Sequence, residues 1–294
     1  MARTVFAYLT FPVLMGGFVW LAIWGFNQGW PPAAWGVGLT LLNFFVLAGC
    51  EQLLPRHTTM NLLRDRQSLN DMGHGLLLAA VARPLGSAIS IALIGLLAEL
   101  RSGLGTGGLW PMEWPFALQF ALAFLLWTFA DYWIHRSMHS WNRLWWFHAV
   151  HHDTPQMHIL KSGRLHFGDE LYGALLKPIP LLVLGAPPEI LVLIGLWIVF
   201  DGNLVHSNVD QRFPSWAHYF LPTVQLHNLH HATQREYQDS NYSGSTPLWD
   251  VLFGTFNHPD RSKLGEMGIE NSPVPSGFLA QVWFPFRAQG PSPR

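Results

Sequence analysis

Histidine is the residue type with the clearest chemical potential in this chain, since it occurs 15 times among 294 residues of which only 12% are charged. Nine histidines fall into four groups: His135 and His139; His148, His151 and His152; His206; His227, His230 and His231. A spacing of three or four residues puts imidazoles on one face of a helix, and neutral imidazole is a good ligand for iron, zinc, copper and nickel. One metal takes roughly four to six ligands. Nine histidines therefore predict a pair of metal ions, with no need for a carboxylate ligand.

A purely structural role does not account for these groups, because adjacent imidazoles would repel one another on protonation and would lack partners at an apolar boundary. An isolated histidine, in contrast, is more often a core or surface residue than a ligand. We assign that ordinary role to His57, His74, His158, His218 and His258. Two further residues are candidates for an additional ligand: His166 and Asn203, which lies one turn before His206.

Carboxylates near the histidine groups are candidates for holding the ligand rings in place. A hydrogen bond from the second ring nitrogen of a ligand histidine to a carboxylate fixes its tautomer and its aim. Asp131 lies one turn before His135 and is the clearest candidate. Three others lie near histidine groups in the sequence, and each has an ordinary solvated or capping role as its alternative: Asp153, Asp201 and Asp239.

Long apolar runs are the elements that must position these groups. A bilayer-spanning helix needs about 20 residues, and four runs reach that length: residues 5–26, 33–54, 75–98 and 116–134. The third contains Arg83-Pro84, so it is predicted to be kinked or re-entrant. The run 171–205 is interrupted by prolines and predicts a helical hairpin or two short spans. No comparable run follows Asn208, which places the last third of the chain at the membrane surface.

The orientation follows from lysine and arginine, which favour the cytoplasmic side. The first run is expected to be a retained helix, because it is long for a signal peptide and no small-residue cleavage site follows it. With the N-terminus inside, the outer loops 27–32 and 101–115 hold only Arg101 among basic residues, whereas two inner segments hold seven: Arg56, Arg64, Arg66, Arg136, Arg143, Lys161 and Arg164. The predicted fold is therefore an all-α integral membrane protein. It has about four transmembrane helices plus a helical hairpin, and a cytoplasmic helical cap that holds a histidine-rich dimetal site.

The composition excludes several classes of protein and of metal site. The 17 Lys+Arg and 18 Asp+Glu residues leave no basic excess for nucleic acid, and a single cysteine, Cys50, excludes a disulfide framework or a thiolate-rich metal site. We predict N-terminal transmembrane helices over 1–115, a catalytic domain over 116–256 and a surface tail over 257–294. From Ser272 onward the tail is rich in Pro and Gly and is expected to be loosely ordered.

The histidine groups resemble those of the fatty acid hydroxylase/sterol desaturase superfamily of membrane-bound di-iron enzymes. The matching patterns are His135-x3-His139, His148-x2-His151-His152, His206-Ser207-Asn208 and His227-x2-His230-His231. Segments 240–244 and 248–255 are similar to the closing signature of that family, and the resemblance covers about 116–256. One position departs from it: Asp210 stands where some members have a second histidine. Either the site has fewer nitrogens, or another group such as His166 or Asn203 completes it.

This resemblance implies two iron ions that use O2 to oxidise an unactivated C–H bond of a lipid. The product is an alcohol or an alkene, and hydroxylation is the outcome we favour. Relatives act on fatty acyl chains, sterols, ether lipids, aminolipids and carotenoids. The chain has no haem-binding His-Pro-Gly-Gly, no Gly-x-Gly-x-x-Gly fingerprint and no cysteine cluster. A separate electron donor is therefore predicted on the cytoplasmic face: a reductase, a ferredoxin or a b-type cytochrome.

Other functions would use the same histidines differently. A membrane zinc hydrolase needs a general base, but the chain has no His-Glu-x-x-His and no glutamate beside a histidine group. A metal transporter needs ligands at mid-membrane depth on a path that opens both ways, whereas these histidines gather at one predicted face. A haem-binding electron carrier needs only two axial histidines per haem.

Overall fold

The computed structural model describes residues 2–103, 108–262, 265–288 and 290. The regular secondary structure of this part of the chain is helical, with no β-strand, which confirms the predicted all-α class. Residues 104–107, which belong to a predicted outer loop, lie outside the described residues. So do 263–264, 289 and 291–294 of the predicted tail.

Five helical stretches are long and apolar enough to cross a bilayer, and they confirm an integral membrane protein. Their outward side chains are apolar, as lipid contact requires. The helices concerned are α1 (Ala2–Asn27), α2 (Pro32–Leu53), α3 (Ser68–Leu77) with α4 (Arg83–Gly103), α5 (Phe116–Ser140) and α9 (Pro188–His206).

The irregularity predicted at Arg83-Pro84 is a π-helical turn, Leu78–Ala82, which joins α3 to α4. Proline has no backbone N–H and cannot donate to the carbonyl four residues earlier. The backbone hydrogen-bond pattern of the helix therefore changes just before Pro84. Here the N–H of Arg83 donates to the carbonyl of Leu78, five residues back. A π turn lets the helix continue past the proline.

The proline-broken run 171–205 folds into three helices, of which only the last is long enough to span a bilayer. Two short helices, α7 (Phe167–Leu176) and α8 (Ile179–Leu184), precede α9. Gly185 ends α8 with φ of +82°, a conformation that favours glycine. Within this predicted hairpin, the first limb is split into two short helices and the second is one continuous helix.

Two apolar clusters hold the membrane helices together. One joins α1, α2 and α9 through buried residues such as Phe18, Leu39 and Phe200. The other contains Leu181 of α8 and Ile190 of α9. The start of α1 and the ends of α2 and α9 lie at the same end of the bundle. The chain around Asn208 makes backbone hydrogen bonds to the segment after α2, and the N–H of residue 212 donates to the carbonyl of Ala7.

The histidine-rich end of the bundle is covered by shorter helices: α6 (Asn142–His152), α10 (Val224–His230), α11 (Arg235–Gln238), α12 (Leu248–Phe253) and α13 (Phe278–Arg287). The expectation of a loosely ordered tail from Ser272 is wrong for α13. This helix packs on α3 and α6, with the Phe284 ring 5.6 Å from that of Trp146. Burial of these aromatic rings stabilises the helix despite the Pro and Gly content of the segment.

Candidate metal centre

The nine histidines of the four sequence groups converge in two neighbouring clusters. The five-histidine cluster and the four-histidine cluster each bring one nitrogen per residue within 4.8 Å of all the others in that cluster. Their members are, respectively, His135, His139, His148, His152 and His230, and His151, His206, His227 and His231. The stacked rings of His152 and His231, 4.5 Å apart, connect the two clusters.

Four helices supply these side chains, and each presents them near its C-terminal end. Two of them are the spans α5 and α9, which hold His135, His139 and His206 in their last turns, at the end of the bundle that the shorter helices cover. The other two are α6 and α10. The Thr223 hydroxyl accepts a hydrogen bond from the N–H of Leu226 at 3.3 Å and so caps the start of α10.

In the five-histidine cluster the Nε2 atoms of four residues lie close together. His135 Nε2 is 3.0 Å from His148 Nε2 and 3.1 Å from His230 Nε2. His152 Nε2 is 3.1 Å from His148 Nε2. In the four-histidine cluster, His206 Nε2 lies 3.3 Å from His151 Nε2 and 2.8 Å from His227 Nε2, and the last is 3.1 Å from His231 Nε2.

Two of these contacts, His135–His230 and His206–His151, are not ordinary hydrogen bonds, because the other nitrogen of each ring already fixes its tautomer. His135 Nδ1 lies 2.6 Å from the carbonyl of Tyr242, and His230 Nδ1 lies 2.7 Å from that of Ser240. A carbonyl only accepts, so each Nδ1 carries the proton and each Nε2 of the neutral ring carries a lone pair. Their Nε2 atoms thus face each other lone pair to lone pair at 3.1 Å.

Hydrogen bonds from Nδ1 also fix tautomers in the four-histidine cluster. His206 Nδ1 donates to the carbonyl of Gly202 at 2.6 Å, and His151 Nδ1 donates to the carbonyl of Arg164 at 3.2 Å. Their Nε2 lone pairs therefore also converge. Adjacent ligands at right angles around a metal with bonds of about 2.0–2.1 Å lie about 2.9 Å apart. The observed separations match that geometry, so both clusters fit a cation.

The environment keeps these imidazoles neutral. Burial, followed by the neighbouring imidazoles, lowers the pKa well below the usual histidine value for His151, His152, His227, His230 and His231. A neutral ring has a free lone pair, which is the form that binds a metal.

The four carboxylates named from the sequence have different positions. Asp239 Oδ1 lies 3.3 Å from Nδ1 of His139. Asp131 does not hold His135, because the Tyr242 carbonyl occupies Nδ1 of that ring; instead it pairs with Lys177 Nζ at 2.7 Å. The remaining two make other contacts: Asp153 lies 3.5 Å from Arg164 Nη2, and Asp201 is buried beside Ser245.

One carboxylate of the site, Asp169, was not predicted from the sequence. Asp169, near the start of α7, accepts a hydrogen bond from His148 Nδ1 at 2.7 Å, and both side chains are buried. Burial raises the pKa of Asp169, but the interactions with His148 and Lys177 together outweigh that effect and lower the pKa below its usual value. No spacing rule connects the two, because 21 residues separate them.

The two additional ligand candidates lie outside both clusters. His166 uses both ring nitrogens elsewhere: Nδ1 accepts from the N–H of Gly168 at 3.0 Å, and Nε2 donates to the carbonyl of Val282 at 2.9 Å. Asn203 donates to Asn43 Oδ1 at 2.8 Å. The departure at Asp210 is therefore not compensated by either residue, and Asp210 itself faces Arg3 and Arg212.

A third group of possible ligands, Asp65, Asp71 and His158, already contains a cation from the protein. Lys161 Nζ lies 2.6 Å from Asp65 Oδ2 and 2.7 Å from Asp71 Oδ2. Arg164 Nη1 lies 2.8 Å from the other oxygen of Asp71. This group is a buried ion-pair network, and it places the carbonyl of Arg164 against His151.

Comparisons with known proteins agree with this geometry. A family model described as fatty acid hydroxylase matches residues 120–255, which contain all nine histidines. The chain is 35% identical over 248 residues to ornithine lipid hydroxylase OlsE of Rhizobium tropici, covering 83% of this chain and 73% of that protein.

More distant relatives match shorter parts of the chain. Alkylglycerol monooxygenase of Xenopus tropicalis is 26% identical over 52% of this chain and 33% of its own length. Very-long-chain aldehyde decarbonylase CER1 of Arabidopsis thaliana is 29% identical over 44% of this chain and 22% of its own length. The chain thus spans a third or less of these larger proteins. No solved structure matches significantly.

Proposed function

Because the chain belongs to the fatty acid hydroxylase family, we propose that it is a membrane oxidoreductase that uses O2 and external electrons to hydroxylate an unactivated C–H position of a lipid. Its catalytic part is residues 116–256, which include the segment that the family model matches. Desaturation of the lipid at the same metal centre is the alternative reaction.

The observation that carries this proposal is the convergence of nine histidine nitrogens in two buried clusters. We assign five nitrogens to one iron ion and four to the other, with the members of the five-histidine and four-histidine clusters as ligands. Bound iron supplies the activation of O2 and the removal of hydrogen from carbon. The protein holds six of the nine ligand rings by their Nδ1 atoms, through Asp169, Asp239 and four backbone carbonyls.

The substrate class follows from the membrane setting and from the relatives. OlsE is named for ornithine lipid and alkylglycerol monooxygenase for an alkylglycerol, so both names describe a lipid. The match to OlsE over 83% of this chain makes an amino-acid-containing lipid the first substrate to test. Such a lipid reaches the clusters from within the bilayer, because α5 and α9 bring the histidines to the membrane boundary.

We place the histidine end of the bundle on the cytoplasmic side. Arg56, Arg64, Arg66 and Arg143 lie in segments at that end, whereas residues 27–32 at the other end contain no lysine or arginine. A separate electron donor, either a reductase, a ferredoxin or a b-type cytochrome, would then reach the clusters from the cytoplasm.

Lipid mass spectrometry of cells that express the chain, compared with cells that do not, tests the function. We expect a lipid that gains the mass of one oxygen atom, together with iron in the purified protein. A lipid that loses two hydrogens would indicate desaturation instead. Zinc alone in the protein and an unchanged lipid profile would contradict the proposal and favour a zinc hydrolase or a metal transporter that uses the same histidines.

Replacing Asp169 with Asn should weaken iron binding by about 10–100-fold, because the buried His148 ring loses the charged acceptor of its Nδ1 proton. Iron titration of the purified variant measures this. The matched control is Glu170→Gln, since the neighbouring Glu170 pairs with Arg83 rather than with a histidine. Equal iron affinity in the two variants would contradict the role of Asp169.

A further inference from the structure

Helix α13 has an amphipathic pattern that is reversed relative to a helix on a water-exposed surface. Its outward face consists of Leu279, Trp283 and Phe286, which are 70%, 56% and 54% exposed. Its one uncharged polar side chain, Gln281, is fully buried. A surface helix in water turns its polar side outward, so this outward face is suited to an apolar surrounding.

The inward face of α13 is fixed by specific contacts with the membrane helix α3 and the metal-site region. Gln281 Oε1 lies 3.0 Å from His74 Nε2, and Phe278 packs edge-on against the same imidazole. The carbonyl of Val282 accepts a hydrogen bond from His166. These contacts determine which side of the helix faces outward, and no described residue covers that side.

The surroundings of α13 identify what covers its outward face. Helix α3, against which α13 packs, begins a span that is long enough to cross the bilayer. On α3, Leu69 and Leu76 are 80% and 68% exposed and lie beside the face that α13 covers. The outward face of α13 therefore lies next to a surface that already meets lipid.

The length and end residues of α13 set its orientation. Ten residues extend about 15 Å, whereas a span needs about 20 residues. Trp283 is of the type enriched at membrane–water boundaries, and Arg287 in the last turn has a stem long enough for its charge to reach the headgroups.

We infer that α13 is an in-plane interfacial helix whose Leu279–Trp283–Phe286 face is seated in the lipid surface, beside α3. The helix connects this surface to α6 and to the start of α7, where Asp169 lies. The inference is independent of the proposed chemistry, because it rests on exposure and packing alone.

Site-directed spin labelling of the full chain in phosphatidylcholine vesicles tests it. Cys50, the single cysteine, is replaced by alanine, and a nitroxide is attached to a new cysteine in Trp283→Cys. Leu279→Cys and Phe286→Cys are alternatives if that variant folds poorly. The control is Glu270→Cys, in the exposed segment before the helix.

We expect the label at 283 to collide more with O2, which concentrates in lipid, than with a water-soluble nickel chelate, and the label at 270 to show the reverse. Equal access of the nickel chelate to both positions would overturn the inference. Spin–spin broadening between labels on separate copies would assign the face to a second copy of the chain, and would overturn it as well.

Discussion

Replacing His230 with alanine is expected to abolish lipid oxidation and to reduce the iron content of the purified protein. His230 Nε2 is 3.1 Å from His135 Nε2, and its Nδ1 is held by the carbonyl of Ser240. Losing an outer partner of a ligand costs about 10–100-fold in metal affinity, so losing a ligand should cost at least about 100-fold. Activity on extracted lipid and iron per chain are the measurements. His151→Ala, in the four-histidine cluster, should behave in the same way.

The matched control for these variants is His57→Ala. His57 lies outside both clusters, and it binds Asn208 through its backbone N–H and carbonyl, which alanine retains. This variant should keep both its iron and its activity. Full turnover by His151→Ala or His230→Ala would show that the ligand assignment is wrong, and a loss in His57→Ala equal to theirs would show that the effect is not specific to the clusters.

Replacing Asp71 with asparagine is expected to lower the free energy of unfolding by about 3–5 kcal/mol, the usual effect of removing one partner from a buried ion pair. Asp71 lies within 2.8 Å of both Lys161 and Arg164, and all three side chains are almost fully buried. The substitution leaves two cations in the interior with too little negative charge. Unfolding of the purified protein in detergent, followed by circular dichroism, measures the loss.

The control for this variant is Arg3→Gln, because the Arg3 side chain is 58% exposed and lies 3.6 Å from Asp210. An exposed pair contributes at most about 1 kcal/mol. The Asp71 variant should also bind less iron, since Arg164 presents its carbonyl to His151. Equal stability of the two variants would contradict the structural role of the network.

Local properties of the sequence were enough to predict the membrane class and the histidines that come together in the structure. Apolar runs of about 20 residues have few alternatives to a membrane helix, and a spacing of three or four residues orients imidazoles on a helix whatever the helix packs against. The all-α class and the family were correct for this reason. The nine histidines named as ligands are also those that the structure brings together.

The partition of those histidines between two clusters could not be predicted locally. His151 and His152 are adjacent, yet they join different clusters, and His230 and His231 do the same. Neighbouring residues point about 100° apart on a helix, so each pair sends one ring to either side. Which cluster receives which ring depends on how α6 packs on α5 and how α10 packs on α9.

Contacts between residues that are distant in sequence were the other feature that the sequence patterns did not predict. Asp131 has suitable spacing for His135, but the Tyr242 carbonyl, 107 residues away, takes that position. Asp169 and helix α13 were missed because their roles arise only when remote segments meet. The sequence by itself thus determined which histidines could bind a metal and which helices could lie in lipid, because these depend on residue type and local periodicity. Only the tertiary structure decided which ring meets which, because that depends on contacts between helices far apart in the chain.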